Sequence, residues 1–165
     1  MNIIVTVDNN YGISYKGKSL VSIPADRKLK VQEVEGKVAV YGLGGLEDLP
    51  GKQPLATAMN IIFTDSVKTS VKTGKNTVLC ASLEEVRETL KKYPDEDIYI
   101  IDNEKLYREF LPDTRVCHVT KVDYEYKADA FFENLEKNPD FKITRDSDEQ
   151  YCFDIVYSFL QFERI

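Results

Sequence analysis

The strongest constraint on this chain is a rhythm. Apolar runs rich in β-branched residues recur at Asn2–Val7, Val38–Tyr41, Asn60–Thr64, Thr77–Ala81, Asp97–Ile101 and Val116–Val122, with helical patterns between several of them. Runs of that length and makeup predict strands. The spacing predicts helices over Ala25–Glu35, over Leu83–Tyr93 with Ser82 and Glu85 as a capping box, and over Asn103–Leu111, stopped by Pro112. Strands alternating with helices predict right-handed crossovers, hence an α/β fold with a mixed, mainly parallel central sheet of about eight strands and helices on both faces. Two later runs, Phe141–Thr144 and Tyr151–Phe162, break the rhythm. They predict an antiparallel C-terminal strand paired with its neighbour after the Asp146–Gln150 turn. With 165 residues, 42% apolar, and no repeats or proline-rich linkers, the chain suits one domain spanning residues 1–165.

Composition removes several classes of function. A formal net charge of -6 opposes attachment to nucleic acid or to an anionic membrane, both of which depend on Lys and Arg meeting phosphate. No stretch approaches a bilayer span or has the layout of a signal peptide, so a soluble, cytoplasmic protein is expected. Cys80, Cys117 and Cys152 are odd in number, far apart and set in apolar runs, which suits reduced structural thiols. His118, the sole histidine, reads as a packed or edge-strand residue, so no histidine couple and no metal cluster is expected. No nucleophile elbow, phosphate-binding P-loop or paired-cysteine spacing occurs. The lysines in Val67–Lys75 read as a solvated loop. Two irregular stretches, Asn9–Ile23 and Gly42–Met59, are long enough to be functional loops, and both follow strands whose carboxyl ends would carry a ligand site.

One segment combines these elements: Ile98-Tyr-Ile-Ile-Asp102-Asn103-Glu-Lys-Leu-Tyr107 reads as a buried strand, an abrupt turn and an amphipathic helix. Around it, in order, stand Ile3-Ile-Val-Thr-Val-Asp8, Ser22-Ile-Pro24-Ala25-Asp26, Gly36-Lys-Val-Ala-Val-Tyr-Gly42, Asn60-Ile-Ile-Phe-Thr64 and Ala128-Asp129-Ala-Phe131-Phe132. Taken together and in this order, the whole chain resembles a dihydrofolate reductase. The resemblance implies a cleft in which Asp26 is the pocket acid, with Val5, Thr6 and Thr120 beside a pterin-like substrate. It also implies NADPH as cofactor, held around Gly42, Gly44, Gly45, Thr64, Ile101, Asp102, Asn103 and Tyr107. Hydride delivery to an imine carbon is helped by protonating the adjacent nitrogen, and a carboxylate can hold an amidine-like ring edge through paired hydrogen bonds. Read from local sequence alone, Asp26 is rather a helix-start acid after Pro24; the family resemblance is what favours the pocket reading. Tyr107 divides between site and core packing beside Leu106, Phe110 and Leu111.

The departures from the family pattern fall on ligand-contacting positions. Leu20-Val21 stands where the family has an aromatic lid, and the chain has no tryptophan. Arg27 and Lys30 put charge on a helix face that is apolar in the family, and Ala58 replaces the arginine that clamps the substrate's glutamate. Such a clamp is worth about 1.5–3 kcal/mol. Leu43-Gly44-Gly45-Leu46-Glu47-Asp48 inverts the charge of the helix start that receives the cofactor pyrophosphate. Gly44-Gly45 stands between a plain turn and an anion nest. Asp65 would face the adenosine 2′-phosphate. Asp102-Asn103 replaces a glycine pair whose bare backbone approaches the cofactor, and Asp102 is expected to cap the following helix and repel phosphate. Two readings follow: a degenerate homologue that binds a small molecule or a protein without NADPH-dependent reduction, and a divergent but active NAD(P)H-dependent reductase.

Overall fold

The structure, a computed structural model, describes residues 1–64 and 74–165. Asp65 and most of the lysine-bearing loop lie outside the described residues. In chain order the first strands are β1 (Asn2–Val7), β2 (Gly12–Tyr15), β3 (Lys18–Ser19), β4 (Val38–Gly42), β5 (Met59–Phe63) and β6 (Thr77–Cys80). They are followed by β7 (Ile98–Ile100), β8 (Val116–Val122), β9 (Ala130–Phe131), β10 (Phe141–Asp146), β11 (Gln150–Cys152) and β12 (Ile155–Arg164). The helices are α1 (Pro24–Glu33), α2 (Leu83–Leu90) and α3 (Glu104–Phe110).

The period of two along the strands divides the core. Ile3, Val5 and Val7 of β1, Val38 and Val40 of β4, and Ile61 and Phe63 of β5 enter a cluster covered by Val86 and Leu90 of α2 and by Leu106 and Phe110 of α3. Ile4, Ala39, Tyr41 and Ile62 point the other way, toward Val34 just past α1 and toward Leu46, Leu49 and Leu55. Strands that are apolar on both faces belong inside a parallel sheet. The main sheet is indeed ordered β10, β12, β8, β1, β7, β4, β5, β6, with β11 beside β12. β6, β5, β4, β7, β1 and β8 pair in parallel, and β12 is antiparallel to β8, β10 and β11. The expected α/β class, its mainly parallel sheet and its antiparallel C-terminal strand are therefore found.

Several boundaries differ, each for a local reason. The expected strand over Tyr151–Phe162 is a hairpin, because the chain reverses at Phe153-Asp154 between β11 and β12. The stretch Asn9–Ile23, expected to be irregular, contains β2 and β3, which with β9 form a separate three-stranded sheet. Its entry is fixed by Asp8, whose carboxylate accepts from the backbone N–H of Asn10 (2.9 Å), Gly12 (2.8 Å) and Tyr126 (2.9 Å). Gly42–Met59 holds short 3-10 turns at Leu43–Asp48 and Pro50–Lys52. It is pinned by the buried Asn60 side chain, which accepts from the Tyr41 hydroxyl (2.7 Å) and Leu55 N–H (3.0 Å) and donates to the Leu55 carbonyl (2.9 Å). At α2, Ser82 Oγ accepts from Glu85 N–H as expected, whereas Glu85 reaches back to Ala81 N–H, one residue beyond the cap. Among the described residues no helix is long and apolar enough to cross a membrane. Cys80 and Cys117 are buried, Cys152 is partly exposed, and all three are free thiols.

Candidate ligand cleft

A cleft of about 600 Å³ opens beyond the carboxyl ends of the parallel strands, where the ends of β1, β4 and β5 and the segments after β4 and β7 converge. That size suits a small molecule. Asp26 lines it, as do Gly12, Ser14, Gly17 and Ser19 of the β2–β3 hairpin. Ser19, the last residue of β3, donates to Asp48 (2.6 Å).

Asp26 is placed by register. In the β1–β8 pairing Thr6 lies directly opposite Thr120, so the two hydroxyls stand side by side on the sheet face that α1 crosses. Asp26, in the first turn of α1, meets both: Thr120 Oγ1 donates to its Oδ1 at 2.6 Å and Thr6 Oγ1 donates to its Oδ2. The helix starts after Ile23 with no side-chain cap. The Asp26 carboxylate thus bonds to the sheet and gives no side-chain cap to the start of α1. Asp26 is the only buried residue of α1, so this helix sits on the sheet through a hydrogen-bonded carboxylate where an apolar side chain would be usual. One hydroxyl on each oxygen leaves lone pairs on both for two further N–H donors, the pattern an amidine edge presents. Thr120 itself stays behind Asp26, away from the cleft, and lines a smaller cavity of about 160 Å³ with His118. Burial lowers the pKa of His118.

The other end of the cleft is organised by Asp102 and Asn103. Asn103, not Asp102, caps α3: its side-chain oxygen accepts from Lys105 N–H (2.9 Å) and Leu106 N–H (3.3 Å), with φ at +85°. Asparagine tolerates that left-handed φ better than most residues, which is why the cap falls there. Asp102 is released from capping and turns toward Gly42, accepting from its N–H at 3.3 Å. A Cβ at Gly45 would come within 2.6 Å of Asp102 Oδ2, and one at Gly42 within 2.5 Å of Asn103 Nδ2. Gly42 at the end of β4 and Gly45 beyond it therefore serve the close approach of these two side chains. Gly44 has open space before it. Burial raises the pKa of Asp102; Lys30 and the Gly42 and Asn103 amides pull it back, and Asp48 adds to the rise. Peptide bonds are trans throughout the described chain.

Tyr107 belongs to both the core and the cleft. Its ring meets Phe132 edge-on at 5.4 Å between centroids, and its hydroxyl donates to the Ile4 carbonyl at 2.9 Å. Burial raises its pKa well above the phenolic norm, helped by the nearby Asp102 and Asp26 charges. The structure thus brings Val5, Thr6, Asp26, Gly44, Gly45, Thr64, Ile101, Asp102, Asn103 and Tyr107 to one cleft, with Gly42 beneath Asp102 and Thr120 behind Asp26. Sequence reasoning missed Ser19 and the role of Asp48. Their contact depends on the β2–β3 hairpin, and no local pattern announces it.

The cleft carries Arg27, Lys30 and Lys105 against Asp8, Asp26, Asp48, Asp102, Glu104 and Asp129. Its field favours a cationic ligand over an anionic one. An open α/β sheet with an acid-floored cleft beyond its parallel strands is an arrangement consistent with a small-molecule site. The family is shown by comparison: the family model described as dihydrofolate reductase matches residues 1–164, and the chain belongs to that family. A dihydrofolate reductase of Enterococcus faecium is 26% identical over 129 residues, covering 78% of this chain and 75% of that protein.

Proposed function

We propose that this chain is a dihydrofolate reductase-family protein that has given up NADPH-dependent reduction and binds a small cationic heterocycle, of pterin or diaminopyrimidine type, through Asp26. The observation that carries this reading is Asp102, whose carboxylate lies against Gly42 and Gly45 at the place where the family likeness puts the cofactor's anionic bridge. NADPH would have to bring phosphate to a position already holding a carboxylate, with Asp48 nearby. The residues after β4 offer it no arginine. Asp26 has the complementary property, a buried acid with free lone pairs facing an open cleft.

Isothermal titration with 2,4-diaminopyrimidine, dihydrofolate and NADPH tests this. The diaminopyrimidine is expected to bind, with Asp26→Asn weakening it about tenfold or more, as befits a charged hydrogen bond worth about 1.5–3 kcal/mol. NADPH is expected not to bind. Micromolar NADPH affinity together with consumption of NADPH in the presence of dihydrofolate overturns the reading. A second reading, a divergent active reductase, is favoured by the open cleft and the preserved Asp26–Thr120 pair, and by the name of the Enterococcus faecium relative. Under it, Asp26→Asn abolishes turnover.

A further inference from the structure

One edge of the main sheet, opposite β6, is the strand pair β10–β11, which runs along the outer side of β12. Between the two strands Ser147 bridges to β12, its N–H donating to the Phe159 carbonyl and its Oγ accepting from Phe159 N–H, both at 2.9 Å. The two halves of this edge differ. β10 exposes Lys142, Arg145 and Asp146, the kind of charges that keep an edge from pairing with another chain. β11, Gln150-Tyr151-Cys152, exposes none, and Tyr151 is 68% exposed.

The turn that follows deepens the contrast. Phe153 is 99% exposed and has φ +56° at the first residue of a two-residue reversal, a position that favours glycine. A phenylalanine is therefore held in the left-handed region with its ring in water, and among the described residues no hydrogen bond or ring contact accounts for it. Residues in such conformations persist where function retains them. Tyr124, 60% exposed and with its ring tilted against that of Tyr126 at 4.6 Å between centroids, sits on the neighbouring turn, which Asp123 N–H ties to the Val156 carbonyl (2.8 Å). From Arg145 to Asp154 the hairpin carries Asp146, Asp148, Glu149 and Asp154 against Arg145 alone, four acids to one base or net -3. Among the described residues none of these four acids is in an ion pair.

We propose that the β11 edge with the Tyr151 and Phe153 rings is a docking site for an extended, Lys- or Arg-bearing segment of a partner protein, which adds a strand beside β11 and rests an apolar side chain on the two rings. Charge selects the occupant. A second copy would bring two hairpins of net -3 together, and a nucleic acid or anionic membrane would meet the same sign. Main-chain pairing supplies the geometry, aromatic anchors supply most of the affinity, and the surrounding acids steer the approach.

The test uses the full chain and two short synthetic peptides, one alternating Lys with Val and one alternating Glu with Val. The Lys–Val peptide is expected to bind and to slow amide hydrogen exchange at Gln150–Cys152, and the Glu–Val peptide is not. Tyr151→Ser and Phe153→Ser leave the net charge unchanged, so non-specific attraction persists in them. Each is expected to weaken binding about tenfold, the loss of one interface anchor. Phe153→Gly is expected to raise the Tm while losing peptide binding, which separates docking from stability. Diaminopyrimidine binding in the cleft serves as the folding control. Equal affinity in the parent and the serine variants overturns the proposal, as does protection confined to other strands. Concentration-dependent dimerisation abolished by Phe153→Ser also overturns it, by assigning the edge to a second copy.

Discussion

Replacing Asp102 by Asn isolates the charge that sets the character of the cleft, because the side chain keeps its shape and can still accept from Gly42 N–H. A phosphate oxygen admitted to that end of the cleft would lie on the order of 5 Å from the carboxylate. At an effective dielectric of about 20 the repulsion is roughly 3 kcal/mol per unit charge. Solvent in the open cleft reduces this to about 1–2 kcal/mol, or roughly 5- to 30-fold in affinity. Titration calorimetry with NADP+ at neutral pH is expected to show tighter binding to Asp102→Asn by that factor. The pH dependence gives a second signature. Because burial raises the pKa of Asp102 in the folded protein, its contribution to stability is fully present below the ordinary carboxylate range and is lost as pH rises through the raised value. The variant's advantage in urea midpoint should therefore widen from acid to neutral pH. NADP+ binding by the parent should likewise improve on acidification more than binding by the variant, since the cofactor's own titration is common to both. Equal NADP+ affinity at neutral pH, or an identical acid-induced gain in both proteins, refutes the reasoning.

Thr120→Val removes the donor to Asp26 Oδ1 and should destabilise the fold by about 1.5–3 kcal/mol near neutral pH, read from urea midpoints; an unchanged midpoint would mean that water replaces the hydroxyl. Asn60→Ala leaves the Tyr41 hydroxyl and the Leu55 amide without their buried partner, while Asn76 still donates to the Leu55 carbonyl, and should cost about 3 kcal/mol or more by thermal unfolding; a loss under about 1 kcal/mol contradicts its role as a hub. Burial raises the thiol of Cys80 and pushes that of Cys117 up to about 12, so iodoacetamide at mildly alkaline pH should modify only Cys152 in the folded protein and all three cysteines in urea, as counted by mass spectrometry.

The sheet was legible because its strands are apolar on both faces. Val38 and Val40 serve one cluster while Ala39 and Tyr41 serve the other, and a run of that kind reads as a central parallel strand from sequence alone. The β2–β3 hairpin was not legible. Gly12-Ile-Ser-Tyr is short and mostly half-buried, and its strand partner Ala130–Phe131 lies more than a hundred residues along the chain. The split of the last strand at Phe153-Asp154 was hidden for the opposite reason: phenylalanine continues an apolar pattern, and the left-handed φ that breaks the strand leaves no mark in hydrophobicity. Asp26 was found through family likeness, but the cause of its position was written in the chain as two threonines whose register only the folded sheet reveals.

Asp102-Asn103 shows where local propensity stops deciding. Aspartate and asparagine are near-equal helix caps, so the expectation that Asp102 caps α3 rested on little, and the structure places the cap on Asn103. The capping residue has φ +85°, a conformation asparagine accepts more readily than most residues, and Asp102 lies instead toward Gly42 and Gly45. A capping carboxylate would have spent its charge on α3. A displaced one lies partly buried beside Lys30 and Asp48, where it bears on any ligand entering from that side. Gly42, Gly45 and the cap of α3 therefore form a single device across the cleft. A larger residue at Gly45 should not merely crowd the turn but drive the Asp102 side chain into the ligand space, so that stability and ligand affinity fall together.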